Sequence, residues 1–176
     1  MTIKFKVVLV GSTEQHEETL LIDERELEQG DKYETNLGLN LKLEYKLLGD
    51  KDVNLVLWLM KGEKFHEIKQ GFYEGADGIV VLFDISQEES IESIIFRIKE
   101  LRQNSPNSSI LLIGRNIKDQ VNQIIDGYTR HLIKEGKIKG KISLNIDFFD
   151  LKKTDKLISK EFLEFLARKL LSRSDY

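Results

Sequence analysis

An apolar run, Val7-Val8-Leu9-Val10, ends in Gly11 and is followed by Ser12-Thr13-Glu14-Gln15-His16-Glu17-Glu18-Thr19. A strand that delivers a glycine is how a phosphate-cradling loop begins. The pattern G-x-x-x-x-G-K-[ST] supplies bent backbone N–H groups, a Lys charge and a hydroxyl for magnesium. Counted from Gly11, its second Gly, its Lys and its Ser/Thr would fall on His16, Glu17 and Glu18. His16 carries a Cβ where the loop asks for positive φ, which is costly for most residues. Glu17 and Glu18 put anions where a phosphate needs a cation. Two unit charges about 4 Å apart interact by roughly 4 kcal/mol at an effective dielectric of about 20. Exchanging attraction for repulsion at Glu17 alone therefore costs an anionic ligand several kcal/mol, with each ~1.4 kcal/mol worth a factor of ten in affinity. The dipole of a helix behind the loop returns only ~0.3–1 kcal/mol at an exposed site. Glu17 and Glu18 would satisfy that dipole from within the chain.

Other residues with chemical potential each have a plainer reading beside them. His16 with Glu14, Glu17 and Glu18 has metal-ligand residue types, but a zinc-protease helix needs a second His and none follows; a solvated acidic loop is the better account. Lys152, Lys153 and Lys156 either touch phosphates or form a solvated basic patch. Asp84, at the end of an apolar run, reads as structural rather than as an acid or base. Asn116 and Asp119 either read the edge of a base or reflect a helix N-cap at Asp119. No nucleophile–base pair or ligand cluster emerges, so no catalytic residue and no metal site is expected.

These residues must be positioned by elements, and the pattern of the chain supplies them. Ile3–Val10 is a short apolar run of the kind buried on both faces of a sheet. Leu20, Leu21 and Leu27 recur with helical spacing in a segment closed by Gly30. Leu37, Leu39, Leu41 and Leu43 alternate with polar residues, Gly49-Asp50-Lys51-Asp52 is turn material, and Val53–Met60 returns, so a hairpin is expected over Leu37–Met60. Ile79–Phe83 is a buried strand, and Ser86 with Glu89 forms a capping box for a helix carrying Ile91, Ile94, Ile95, Ile98 and Leu101. Ser105-Pro106-Asn107-Ser108 breaks that helix, and Ile110–Ile113 is the next strand. Val121, Ile124, Ile125, Tyr128, Leu132 and Ile133 mark a helix, a last strand lies within Lys141–Phe149, and Ser159 starts a terminal helix with Phe162, Phe165, Leu166 and Leu170 inward. Alternation of this kind implies a three-layer α/β fold. The expected sheet is mostly parallel and six-stranded, with one antiparallel edge strand and helices on both faces. Ligands of such sheets sit beyond the carboxyl ends of the strands.

The totals bound the possibilities. The chain has 176 residues, 32% charged and 40% hydrophobic, an ordinary globular composition, and a single domain over residues 1–176 is expected. A formal net charge of -3 gives no basic excess for a nucleic-acid backbone. The absence of Cys excludes disulfides, thiolate metal sites and a prenylation box. No apolar run is long enough to span a bilayer. Thr2 rules out myristoylation, and the opening strand leaves no room for a signal-peptide core, so a cytoplasmic protein without a lipid anchor is expected.

The run Glu63-Lys64-Phe65-His66-Glu67-Ile68-Lys69-Gln70-Gly71-Phe72-Tyr73-Glu74-Gly75-Ala76-Asp77-Gly78-Ile79-Val80-Val81-Leu82-Phe83-Asp84-Ile85-Ser86 resembles the Ras-like small GTPases, from the second switch into the following strand and helix. The resemblance extends over essentially the whole chain and implies the small-GTPase version of the P-loop fold. It also identifies the family's five nucleotide motifs, each altered here. In the phosphate loop Gly11 is kept, while His16, Glu17 and Glu18 replace the Gly, the Lys and the magnesium-ligating Ser/Thr. For the first switch's Thr-Ile-Gly the chain has Thr35-Asn36-Leu37-Gly38, with Asn36 or, one residue slipped, Thr35 in the Thr position. For Trp-Asp-Thr-Ala-Gly-Gln-Glu it has Trp58-Leu59-Met60-Lys61-Gly62-Glu63, one residue shorter, with Leu59 in place of the magnesium-associated Asp and no Gln to orient water. In the base-reading motif Asn-Lys-x-Asp, Arg115 and Lys118 replace Asn and Asp without a gap; with a one-residue shift Asn116 and Asp119 match and Ile117 replaces the Lys. Of Ser-Ala-Lys only Lys153 remains, in Leu151-Lys152-Lys153.

The resemblance therefore implies a degenerate member, a pseudo-GTPase whose vestigial nucleotide positions are Gly11, Glu17, Glu18, Asn116, Asp119 and Lys153, with no cofactor. The alternative is an atypical GTP-binding protein holding GDP or GTP with magnesium weakly and hydrolysing it little. By the same resemblance Trp58 lies between the switches, on the face that docks effectors, with Leu41 and Phe72 completing an apolar triad and Phe65 and Tyr73 beside it. The expected partner is a protein, either an active GTPase or an effector-like protein. The competing account is that Trp58 and Phe72 pack against the switch segments.

Overall fold

The computed structural model describes residues 2–11, 32–34, 39–48, 51–60, 71–84, 91–115, 118–137, 145–150 and 160–173. Seven strands, β1 (Thr2–Gly11), β2 (Lys32–Glu34), β3 (Leu39–Leu48), β4 (Lys51–Met60), β5 (Gly78–Asp84), β6 (Ser109–Arg115) and β7 (Ile146–Asp150), form one sheet in the order β2-β3-β4-β1-β5-β6-β7. Strands β4, β1, β5, β6 and β7 run parallel, and β3 is antiparallel to both β4 and β2. Three helices complete the described elements: α1 (Ile91–Asn104), α2 (Lys118–Lys134) and α3 (Lys160–Leu171).

Two points correct the expectation of six strands with an antiparallel edge. Among the described residues the sheet has seven strands, and the antiparallel strand β3 is internal, because β2 pairs with its outer side through Lys32↔Lys42 and Glu34↔Asn40. Lys32-Tyr33-Glu34 is too short to carry an alternation that could be read in advance. Short, charged strands are a common way of ending a sheet. The hairpin itself joins Leu39–Leu48 to Lys51–Met60 in continuous register. The helix expected before Gly30 and the caps at Ser86 and Ser159 lie outside the described residues.

The central strands are apolar because helices cover both of their faces. On one face Val8, Val10, Ile79, Val81, Ile110 and Leu112 meet Ile94, Ile98 and Leu101 of α1 and Val121, Ile124 and Tyr128 of α2. On the other, Val7, Leu9, Leu55, Leu57, Val80 and Ile113 meet Phe162, Leu163, Leu166 and Leu170 of α3. Each such aliphatic side chain contributes ~1.5–3 kcal/mol on full burial. Gly127 lets α1 and α2 close up: a Cβ there would lie 2.5 Å from Cδ1 of Ile95.

The amino end of the sheet is fixed by polar contacts. Ser108, 2% exposed, donates from Oγ to the Ala76 carbonyl at 2.5 Å and shares a hydrogen bond with Ser105 Oγ. The Arg102 guanidinium donates to the carbonyls of Pro106, Ser108 and Asn145, joining the end of α1 to the start of β7. Asp147 on β7 is in turn paired with Lys169 at 3.0 Å and Arg173 at 2.7 Å, at the end of α3 and just beyond it.

Candidate functional site

The register brings the strand ends together. Gly11 pairs with Leu82, Leu82 with Ile113 and Ile113 with Phe149, while Leu59 pairs with Leu9, two residues before Gly11. Gly11, Met60, Asp84, Arg115 and Asp150 therefore all end their strands at one edge of the sheet, within a few residues of a common level. This is the edge at which open α/β sheets hold ligands.

Of the expected nucleotide positions, Gly11 is placed at this edge, as the last residue of β1. Leu59 is the penultimate residue of β4, on the strand next to it. Only positions 116 and 117 separate Arg115, which ends β6, from Lys118, which begins α2. Asp119 is the second residue of α2, inside the first turn rather than at the cap, which corrects the N-cap reading. Glu17, Glu18, Asn116, Lys153 and Phe65 lie outside the described residues. Among the described residues no group of three or more His, Cys, Asp or Glu is placed to hold a metal ion, and no helix is long and apolar enough to cross a membrane.

The expected partner residues divide. In the β3–β4 ladder Leu41 stands directly opposite Trp58. Trp58 is half-buried and packs at the margin of the core, its ring in a T-shaped contact with Phe72 at 6.0 Å between centroids. Phe72 and Tyr73 are not surface residues. They are 2% and 0% exposed and sit in the core with Val8, Val10, Ile79 and Ile94, which corrects the expectation that they face a partner. The physical reason is the helical turn over residues 71–73, which is followed by Gly75 at φ +68° and by Ala76, whose amide bonds back to the Tyr73 carbonyl at 3.1 Å. A left-handed residue at Gly75 turns the chain into β5 and folds both aromatic rings beneath it.

One residue at this place was not singled out from the sequence. The Lys6 ammonium lies 4.3 Å from the centroid of the Trp58 ring and donates to the Glu74 carbonyl at 2.6 Å. The Lys6 amide donates to Asp77 Oδ2 at 2.7 Å, and the Asp77 amide donates to the Lys6 carbonyl at 2.9 Å. Burial pulls the Lys6 ammonium below the usual lysine range, opposed by the charges of Glu74 and Asp77. The available signal was the alternation Ile3-Lys4-Phe5-Lys6-Val7, which marks the first half of β1 as wet on one face.

Comparison with known proteins agrees with the fold. The chain matches the family model for the Ras family over residues 6–171. The Ras-related protein Rab-13 of Mesocricetus auratus is 27% identical over 172 residues, covering 97% of this chain and 81% of that protein. Rab-13 of Canis lupus familiaris is 29% identical over 151 residues, 81% of this chain and 74% of that protein. Rab-21 of Bos taurus is 32% identical over 119 residues, 67% of this chain and 54% of that protein. The chain belongs to the Ras family of small GTP-binding proteins.

Proposed function

We propose that this Ras-family chain is a pseudo-GTPase, a cytoplasmic protein-binding scaffold or adaptor without tight nucleotide binding or hydrolysis. The observation that carries the reading is the chemistry at the carboxyl edge. Gly11 leads into a segment with Glu17 and Glu18 at the phosphate and magnesium positions. On the adjacent strand is Leu59, which in this reading replaces the magnesium-associated Asp, and leucine has no side-chain oxygen to offer a hard cation or its water. In the ungapped register of the base-reading motif, Arg115, with five donors and no acceptor, stands in the place of the Asn, at the end of β6. Guanine nucleotide with magnesium does not fit this donor set.

The partner in this reading is an active GTPase or an effector-like protein. It meets the face around Leu41 and Trp58, while Phe72 and Tyr73 support that face from the core. A partly buried Trp on a strand is the kind of residue that concentrates binding energy. The nucleotide half of the proposal is tested by thermal unfolding with and without 1 mM GTP and magnesium. A ligand present at about 100 times its Kd adds ~2.7 kcal/mol, which is roughly 5–11 °C for a domain of this size. No rise is expected, and a rise of that size refutes the reading.

Family membership itself favours a second reading, an atypical GTP-binding protein with weak affinity and little hydrolysis. It would use Asn116, Asp119, Lys61 or Lys153 around GDP or GTP with magnesium. It requires micromolar binding by calorimetry that is lost in Asn116→Ala.

A further inference from the structure

The contacts of Lys6 bear on how the face around Trp58 is held. Lys6 is fixed at both ends. Its backbone exchanges hydrogen bonds with Asp77, through the Lys6 amide to Asp77 Oδ2 and the Asp77 amide to the Lys6 carbonyl. Its ammonium is anchored on the Glu74 carbonyl at 2.6 Å and seated over the Trp58 ring at 4.3 Å. Residues 74 and 77 belong to the turn that delivers the chain into β5, so one side chain ties that turn to the indole on β4. Phe72 stands against the same ring in a T-shaped contact, with 63° between the planes. The second side-chain torsion of a Trp is broad and poorly restrained by the backbone. A partly buried indole is therefore held in one orientation only by its neighbours, and here those include a cation over its face and an inclined aromatic ring.

We propose that Lys6 is a positioning residue for Trp58, holding the indole in one orientation so that the surface a partner meets is already set in the free protein. This rests on the reading of the Trp58 face as a partner surface. The physical gain is preorganisation: a ring ordered before association does not have to be ordered during it. The Lys6 contacts among the described residues are with Asp77, Glu74 and Trp58.

Trp58 is the sole tryptophan of the chain, so the full-length protein labelled with 5-fluorotryptophan reports on it by a single fluorine resonance. Wild type and Lys6→Arg, which keeps a cation for the ring, are expected to give one narrow resonance at similar shifts. Lys6→Met keeps the aliphatic stem and removes the charge, and it is expected to give a shifted and broadened or split resonance. Loss of a cation–π contact at a partly exposed site changes the ratio of ring orientations by about two- to five-fold. The proposal is overturned if Lys6→Met retains the wild-type resonance, or if Lys6→Arg changes as Lys6→Met does. Should Lys6→Met not fold, Lys6→Gln against Lys6→Arg makes the same comparison. All of this is read without partner or nucleotide, so a failure here is distinct from a failure of the scaffold reading.

Discussion

Phe72→Ala separates a core residue from a docking residue. Phe72 is 2% exposed and shares the core with Val8, Val10, Ile79, Ile94 and Ile98. Its ring meets Trp58 at 6.0 Å and Tyr73 at 5.8 Å, both in T-shaped contacts. Truncation removes the transfer energy of the ring, leaves a cavity between the sheet and α1, and ends both aromatic contacts. Phe→Ala at a site of this kind costs ~3–5 kcal/mol, a large share of a total that is ordinarily ~5–15 kcal/mol. At roughly 2–4 °C per kcal/mol the Tm falls by about 6–20 °C. Urea unfolding followed by circular dichroism measures the loss directly, and the emission of Trp58 is expected to shift to the red in the folded variant as its packing partner disappears. A loss below about 1 kcal/mol, with Trp58 emission unchanged, would refute the placement of Phe72 in the core.

Four further outcomes follow from other contacts in the fold. Ser108→Ala deletes the buried donor to the Ala76 carbonyl and the partner of Ser105, and is expected to cost ~1–3 kcal/mol in urea unfolding. Gly127→Ala meets only the tip of Ile95 and gains helix propensity, so it is expected to be nearly neutral. Gly127→Leu wedges α1 from α2 and is expected to cost ~1–3 kcal/mol by the same measurement. Burial raises the pKa of the Tyr128 phenol, with the Arg102 charge opposing. The unfolded chain then gives up this proton first, so the contribution of Tyr128 is intact below about pH 10 and declines as pH rises through its folded value. Urea midpoints between pH 8 and 11 are expected to fall less in Tyr128→Phe than in wild type.

Much of the architecture was legible because its signals are local. Val7–Val10 and Ile79–Val81 are apolar without interruption because both faces of β1 and β5 are covered, and Ile94, Ile98 and Leu101 mark one side of α1 by helical spacing alone. The short strand β2 was not legible, since Lys32-Tyr33-Glu34 has no periodicity of its own and exists by pairing with β3. At the site, the opposition of Leu41 and Trp58 follows from the hairpin register. The burial of Phe72 and Tyr73 does not follow from it, because two adjacent aromatics look alike whether they line a surface or fill a core. What buries them is the turn at Gly75, and Lys6 reaches Trp58 only because β1 and β4 are parallel neighbours.

The nucleotide content of the purified protein tests the central claim most directly. The full chain, isolated from cells without added nucleotide and then denatured, is analysed by ion-exchange chromatography of the released small molecules. If, as proposed, Glu17 and Glu18 take the phosphate and magnesium positions of the family's loop, the expected result is no guanine nucleotide. Stoichiometric GDP or GTP would contradict the account.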